Sequence, residues 1–91
     1  MRAIGQQQVA VLIEAADEVT TACPWVWIEN YERRQVSSLS ARGLVGSTED
    51  VFGIMPRGCL VLRSYDRGLA RRALAGLRRN RDNGEVMPWH V

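Results

Sequence analysis

Apolar residues recur at helical spacing in three segments of this 91-residue chain. The first segment extends from residue 6 to about residue 19, and its single apolar stripe predicts a helix with one inward-facing side. The Thr20-Thr21 pair and Pro24 are expected to end this helix. The stripe consists of Val9, Leu12, Ile13, Ala16 and Val19.

The second helix is predicted over residues 30–42. Val36 and Leu39 share one side of it, and Glu32 falls near them. Gly43 is a suitable end point, because glycine adopts the left-handed conformation at little cost. The opposite side carries polar and small residues with Arg33 at its margin: Asn30, Arg34, Ser37, Ser38 and Ala41.

The third helix is predicted over residues 69–81, and Asn83-Gly84 ends it. Its apolar stripe consists of Leu69, Ala70, Ala73, Leu74 and Leu77. The positions around the stripe are basic: Arg71, Arg72, Arg78, Arg79 and Arg81. This pattern is typical of an amphipathic helix.

A hairpin is predicted between residues 44 and 54. Leu44-Val45 begins a strand, residues 47–50 form a polar bend, and residues 51–54 form the returning strand.

The pattern leaves two alternatives for the segment after the hairpin. Either Pro56 begins a further helix that continues to Tyr65, or Pro56-Arg57-Gly58 is a tight turn and residues 59–62 form a third strand.

Residues 23–28 contain two tryptophans, Trp25 and Trp27, among β-branched neighbours. The pattern fits a short strand or a short tight helix and does not distinguish them. In both cases the bulk of the two indoles predicts that they anchor the core.

Size and composition predict one domain over residues 1–91, with a core at 6–65, the C-terminal helix at about 69–81 and a tail at 82–91. The tail is either docked by Trp89 or frayed. The longest apolar run, residues 9–13, is far too short to span a membrane. The first eight residues lack the apolar core of a signal peptide. We therefore expect a cytoplasmic protein that does not contact membranes.

Charge is distributed unevenly along the chain. Residues 1–32 carry one arginine against five acids, whereas residues 33–91 carry eleven arginines against five acids. A basic region of this kind indicates a polyanionic partner. There is no lysine, which indicates coding bias in a GC-rich genome and hence a bacterial or phage source.

The sequence has no pattern of catalytic or metal-binding residues. Cys23 and Cys59 lie far apart among apolar residues and are predicted to be buried reduced thiols. His90 is the only histidine, so neither a zinc site nor an acid–base pair is expected. The adjacent acids Asp17-Glu18 and Glu49-Asp50 are predicted to be solvated. We expect a non-enzymatic protein without metal or cofactor.

Three motifs follow one another along the chain: Leu39, Arg42-Gly43-Leu44-Val45 and Pro56-Arg57-Gly58. In their order and spacing they resemble the motifs of the winged helix-turn-helix domains of small bacterial and phage DNA-binding regulators. The resemblance covers about residues 6–65. It implies a mainly α fold with a small β-hairpin, in which residues 30–42 form the recognition helix and residues 44–54 form the wing. The C-terminal amphipathic helix would follow this winged helix-turn-helix.

The resemblance also implies double-stranded DNA as the partner and transcriptional regulation as the function. Arginine and serine side chains can contact base edges in the major groove, and further arginines can contact phosphates. The predicted DNA-binding residues are Asn30, Arg33, Arg34, Ser37, Ser38, Arg42 and Arg57.

Two further hypotheses concern protein partners. A homodimer is expected to form through Leu69, Ala73, Leu74 and Leu77, because an exposed leucine stripe must be covered by the domain's own core or by a second copy. The alternative function is that of a small phage-type accessory protein, which uses the winged-helix scaffold to bind and modulate a host protein. Acids at the wing tip, Glu49 and Asp50, favour this alternative, because phosphates would repel them.

Overall fold

The computed structural model describes residues 4–21 and 23–90. The elements are α1 (Gln6–Thr21), β1 (Val26–Trp27), a 3₁₀ turn (Asn30–Glu32), α2 (Arg33–Ala41), β2 (Val45–Ser47), β3 (Val51–Ile54), α3 (Pro56–Leu62) and α4 (Arg67–Asp82). A mainly helical chain with a small hairpin is thereby confirmed. Within the described residues, no helix has the length and apolar character needed to span a membrane.

Helix α1 lies at the centre of the fold and packs against α2, α3, α4 and β3. Its buried positions are Val11, Leu12, Ala15, Ala16 and Val19. The predicted stripe is therefore rotated slightly from the observed one, since Val9 and Ile13 are only partly buried at the edge of the core. The helix itself is confirmed.

Helix α4 packs along α1 and α3. The approach to α1 is closest at Gly76, where a Cβ atom would lie 2.6 Å from the carbonyl oxygen of Val19. Asp66 caps the start of α4 by accepting a hydrogen bond from the backbone N–H of Leu69 at 3.0 Å. Gly84, at a φ of +78°, follows the helix end as the Asn83-Gly84 pair predicts.

The three strands form one antiparallel sheet in the order β1-β3-β2. The predicted hairpin is present, with Gly46 paired to Gly53 and Val45 paired to Ile54. The third strand is β1, in which Val26 pairs with Phe52. Residues 23–28 thus supply a strand and not a tight helix.

Residues 59–62 belong to helix α3, so the alternative of a strand there is wrong. Pro56 occupies the first turn, where its missing N–H costs nothing, and the N–H of Cys59 bonds to the carbonyl of Met55 at 3.1 Å. Gly58 lets α3 lie directly on the chain before β2, because a Cβ atom there would overlap the carbonyl oxygen of Leu44.

The expected core anchors, Trp25 and Trp27, do not lie in the core. Trp25 is partly buried and Trp27 is 66% exposed. Phe52 on the central strand is the largest fully buried side chain. An outward position on a two-residue edge strand explains why the bulk of Trp27 stays in solvent.

The C-terminal tail is docked through Trp89, one of the two alternatives for this segment. The indole lies against Gly46 and Gly53, and a Cβ atom at either glycine would overlap it. Met87 is buried as well. The tail therefore covers one face of the β2–β3 hairpin.

Candidate functional site

Helix α2 presents an exposed polar face. Val36 and Leu39 are buried on its inner side, so the positions on the opposite side point outward with the helical period. The exposed positions of the helix are Arg33, Arg34, Ser37 and Ala41, and Asn30 is exposed in the 3₁₀ turn just before it. Four of the seven predicted DNA-binding residues thus share one continuous surface, which we call the α2 surface: Asn30, Arg33, Arg34 and Ser37.

Ser38 does not lie on the α2 surface, although the helical pattern placed it on the same side as Arg34 and Ser37. Its hydroxyl accepts a hydrogen bond from the side-chain amide of Gln8 at 2.8 Å, so Ser38 faces α1 and is partly buried. A second contact between the same helices joins Gln35 Nε2 to Gln7 Oε1 at 2.9 Å. These polar contacts fix α2 on α1.

The hairpin tip lies beside the start of α2. The Arg33 guanidinium donates a hydrogen bond to the carbonyl oxygen of Glu49 at 2.9 Å. The Thr48 hydroxyl oxygen accepts from the backbone N–H groups of Asp50 and Val51, each at 3.2 Å, and this shapes the tip. Ile28 N–H also bonds to the Asp50 carbonyl at 2.8 Å. Arg33 therefore has a structural contact besides any role in binding.

Arg42 and Arg57 lie at the other end of α2. Gly43 ends the helix with a φ of +74°, and the N–H groups of Gly43 and Leu44 bond to the carbonyls of Ser40 and Leu39. The Arg57 Nη1 atom lies 3.6 Å from the place that a Cβ atom on Gly43 would occupy. Arg57, on α3, is thus brought to the C-terminal end of the α2 surface, next to the partly buried Arg42.

The charges around the α2 surface are mostly positive, with one acidic end. Arg33 and Arg34 lie at its start, and Arg42 and Arg57 lie at its end. The exposed acids lie at two places: Glu49 and Asp50 at the hairpin tip, as predicted for solvated acids, and Glu29, which directly precedes Asn30. The surface can therefore attract a polyanion along α2 but not at the hairpin tip.

The sequence did not reveal a pair of carboxyl groups between α1 and the 3₁₀ turn. Glu32 is only 1% exposed, and its Oε1 atom accepts from the backbone N–H of Glu29 at 3.0 Å. Burial raises the pKa of Glu14 to about 7, and a hydrogen bond with Glu32 and the charges of Glu32, Glu29 and Glu18 add to the effect. Only the proximity of Glu32 to Val36 and Leu39 in the helical pattern hinted at its burial.

The predicted dimer residues lie mainly in the chain's own core. Leu69 is 3% exposed and Ala73 is fully buried, so neither is free to contact a second copy. Leu74 and Leu77 are partly buried at the edge of the core. The domain's own core thus covers most of the apolar stripe of α4.

Both cysteines are free thiols, as predicted. Burial raises the pKa of the Cys59 thiol to about 11. The Cys23 thiol is partly buried and donates to the carbonyl of Trp25 at 2.9 Å. Across residues 4–21 and 23–90, no group of three or more His, Cys, Asp or Glu side chains could hold a metal ion.

Comparisons with known proteins give no match. No protein-family model, no curated protein and no solved structure matches this chain.

Proposed function

We propose that this chain is a small double-stranded DNA-binding protein, a transcriptional regulator built on a winged helix-turn-helix scaffold. The order of helices and strands and the strand order β1-β3-β2 support this proposal. In this interpretation the 3₁₀ turn replaces the middle helix, α2 is the recognition helix, and the β2–β3 hairpin is the wing.

The observation that carries the proposal is the exposed polar face of α2 with arginines at both ends. Its exposed side chains are short in the middle of the helix, at Ser37, and at its last residue, Ala41, so the helix backbone can approach the floor of a major groove. Arg34 and Asn30 then contact base edges, where arginine pairs with guanine and asparagine with adenine. Arg33, Arg42 and Arg57 contact phosphates.

The hairpin tip lies outside the DNA contact in this proposal. Glu49 and Asp50 are exposed there, and phosphates would repel both side chains. The carbonyl of Glu49 instead holds the Arg33 guanidinium near the start of α2. The wing thus positions an arginine and does not enter the minor groove.

A salt titration of DNA binding tests the proposal. Fluorescence anisotropy with a labelled mixed-sequence duplex should show that the logarithm of the binding constant falls with the logarithm of salt concentration. Three or four phosphate contacts correspond to a slope of about −3. No binding at low salt would contradict the proposal.

Two substitutions locate the contact. Arg34→Ala should weaken binding by about 1–3 kcal/mol at the preferred base and relax the sequences selected from randomised duplexes. Arg57→Ala should weaken binding to all sequences and make the salt slope shallower by about 1. Arg79→Ala is the matched control, because Arg79 is exposed on α4 away from the α2 surface. Equal binding by all three variants would remove α2 from the site.

A second candidate function is binding of a host protein by a phage-type accessory protein. The observation that favours it is the exposure of two aromatic side chains: Trp27 is 66% exposed and Tyr31 is 81% exposed. Tryptophan and tyrosine dominate the centres of protein interfaces. Absence of DNA binding in the salt titration would favour this function.

The homodimer stays a prediction. Since Leu69 and Ala73 are buried within the chain, only Leu74 and Leu77 of the predicted set remain partly accessible for it. Sedimentation as a monomer at high micromolar concentration would contradict it.

A further inference from the structure

Helix α4 carries a straight stripe of arginines that the proposed DNA contact does not use. Arg67, Arg71, Leu74, Arg78 and Arg81 follow one another at alternating steps of four and three residues. Residues at these steps line up on one side of a helix. One apolar side chain therefore lies among four basic ones along the whole length of α4.

Two adjoining grooves run beside this stripe. The first has a volume of about 230 Å³ and lies between α3 and α4, where Leu60, Arg63, Arg67 and Arg71 line it together with Leu74. The second has a volume of about 490 Å³ and lies beside Leu74, Arg78 and Arg81, and the acidic Glu85 of the tail also lines it. Leu74 lines both grooves, so they adjoin at this residue, and we call the two together the α4 groove.

The floor of the α4 groove is apolar. Leu60 is 57% exposed on α3, and Leu74 is partly buried on α4. The second part adds Met55 and Pro56 at the start of α3, and Leu77 on α4. Apolar side chains of an occupant can bury surface here, which a nucleic-acid backbone cannot do.

The arginines that line the α4 groove are available to a partner. Within residues 4–21 and 23–90, the one ion pair joins Arg81 to Asp82 at 3.9 Å. Arg63, Arg67, Arg71 and Arg78 therefore have no acidic partner in the described structure, and all four are exposed. The basic rim leaves room for several carboxylates.

We propose that the α4 groove binds an acidic amphipathic helix of a partner protein. A groove with an apolar floor and basic rims is complementary to a helix that has apolar residues on one side and carboxylates beside them. Two copies of this groove placed face to face would bring the same arginines together, so a dimer through Leu74 and Leu77 would compete with this partner. This proposal is independent of DNA binding, since none of its residues belongs to the α2 surface.

Selection of displayed random 16-residue peptides on the purified protein tests the proposal. The enriched peptides should be acidic and should have apolar residues at helical spacing. Their synthetic versions are then titrated by fluorescence polarisation against the wild type and three variants. Absence of enrichment, or enrichment of peptides without acidic residues, would overturn the proposal.

The three variants separate the contributions to binding. Arg71→Glu reverses one charge of the rim, and Leu60→Ser removes an exposed apolar side chain without opening the core; each should weaken peptide binding about tenfold. Arg79→Glu is the matched control, because Arg79 does not line either groove, and it should change binding less than about twofold. All variants should keep the wild-type circular dichroism spectrum.

Other occupants give different results. Non-specific attraction of acids would make Arg71→Glu and Arg79→Glu equally harmful and leave Leu60→Ser without effect. A second copy in the groove would give a concentration-dependent dimer that Arg71→Glu alters. Either result would overturn the proposal, whether or not the chain binds DNA.

Discussion

Trp27 belongs to the small sheet and Trp89 packs on it, but the two side chains differ in their exposure to solvent. Trp27 is 66% exposed on edge strand β1, and its ring meets the ring of Trp25 edge to face at a centroid distance of 6.1 Å. Trp89 belongs to a tail without regular structure, yet its indole Nε1 atom is fully buried. The residue in a strand is in solvent, and the residue in the tail is packed.

The backbone beneath each ring explains this difference. Gly46 and Gly53 are cross-strand partners in the β2–β3 hairpin, so two bare positions lie side by side. The Trp89 indole covers both of them. Trp27 pairs with Val51, which presents no such space. In this sheet the aromatic side chain is therefore buried where the paired strands lack side chains. Whether the aromatic residue itself belongs to a strand does not determine its burial.

Filling the space above the paired Gly46 and Gly53, which we call the glycine slot, should have the largest effect on the stability. At Gly53 a Cβ atom would overlap both the Trp89 ring and the backbone carbonyl of Pro24. Because the carbonyl cannot turn away like a side chain, Gly53→Ala should lower the free energy of unfolding by about 3 kcal/mol. Urea denaturation followed by circular dichroism measures this change.

Gly68→Ala is the control for the Gly53 substitution. Gly68 lies in the exposed first turns of α4, where the nearest atom to a new Cβ is the flexible end of Arg72 at 3.4 Å. Alanine there should raise the stability by about 0.5–1 kcal/mol. Equal effects at Gly53 and Gly68 would contradict the glycine slot.

Removing the Trp89 ring should have the next largest effect. Trp89→Ala should lower the free energy of unfolding by about 2 kcal/mol. This loss is smaller than that for a fully buried tryptophan, because Trp89 is partly exposed. Trp89→Phe should cost less than half of this, since it keeps an aromatic ring and removes an N–H group that has no hydrogen-bond partner in the described structure.

A double-mutant cycle sharpens the comparison. Gly46→Ala collides with the Trp89 ring alone among the nearest atoms. It should therefore be markedly less harmful in the Trp89→Ala background than in the wild type, with a coupling of about 1 kcal/mol or more. Additive effects would mean that the tail does not rest on Gly46.

The sequence predicted those features that depend on neighbouring residues. The periodicity of α1, the glycine stops at Gly43 and Gly84, and the polar bend of the hairpin are all local signals. Docking of Trp89 could not be predicted in the same way, because it requires Gly46 to face Gly53. That register is a property of the folded hairpin.

The candidate site was predictable to a similar degree. The helical period placed Arg34 and Ser37 on the outer face of α2 correctly. It failed at Ser38, because the boundary of the buried face depends on α1, whose Gln8 reaches across. Glu32 was also missed as a buried residue, since its cap to Glu29 and its contact with Glu14 form only in the fold.

The Glu14–Glu32 carboxyl pair makes the stability of the domain sensitive to pH. The folded pKa of Glu14, about 7, lies above its ordinary value of 4.5. Between about pH 4.5 and pH 7 Glu14 therefore binds more protons in the folded state than in the unfolded state, so its contribution to stability is fully present below about pH 4.5 and is lost as the pH rises to about 7.

Glu14→Gln should remove most of this pH dependence. Glutamine can still form a hydrogen bond with Glu32 but carries no charge. At pH 8 the variant should be more stable than the wild type by about 1 kcal/mol, a modest value because solvent screens a partly exposed carboxylate. Urea denaturation at pH 5 and pH 8 tests this expectation, and a wild-type stability that rises between these pH values would contradict it.

Substitution of Trp27 should have the smallest effect on stability. Its ring is mostly in solvent, and β1 keeps its backbone pairing with Val51 in any case. Trp27→Ala should therefore change the free energy of unfolding by less than about 0.5–1 kcal/mol, the size of one edge-to-face aromatic contact. It should also leave DNA affinity within about twofold of the wild type, because Trp27 is not part of the α2 surface. A large loss of stability would mean that Trp27, like Trp89, supports the sheet. Retained stability with a loss of DNA affinity would instead extend the DNA contact from α2 to the edge strand.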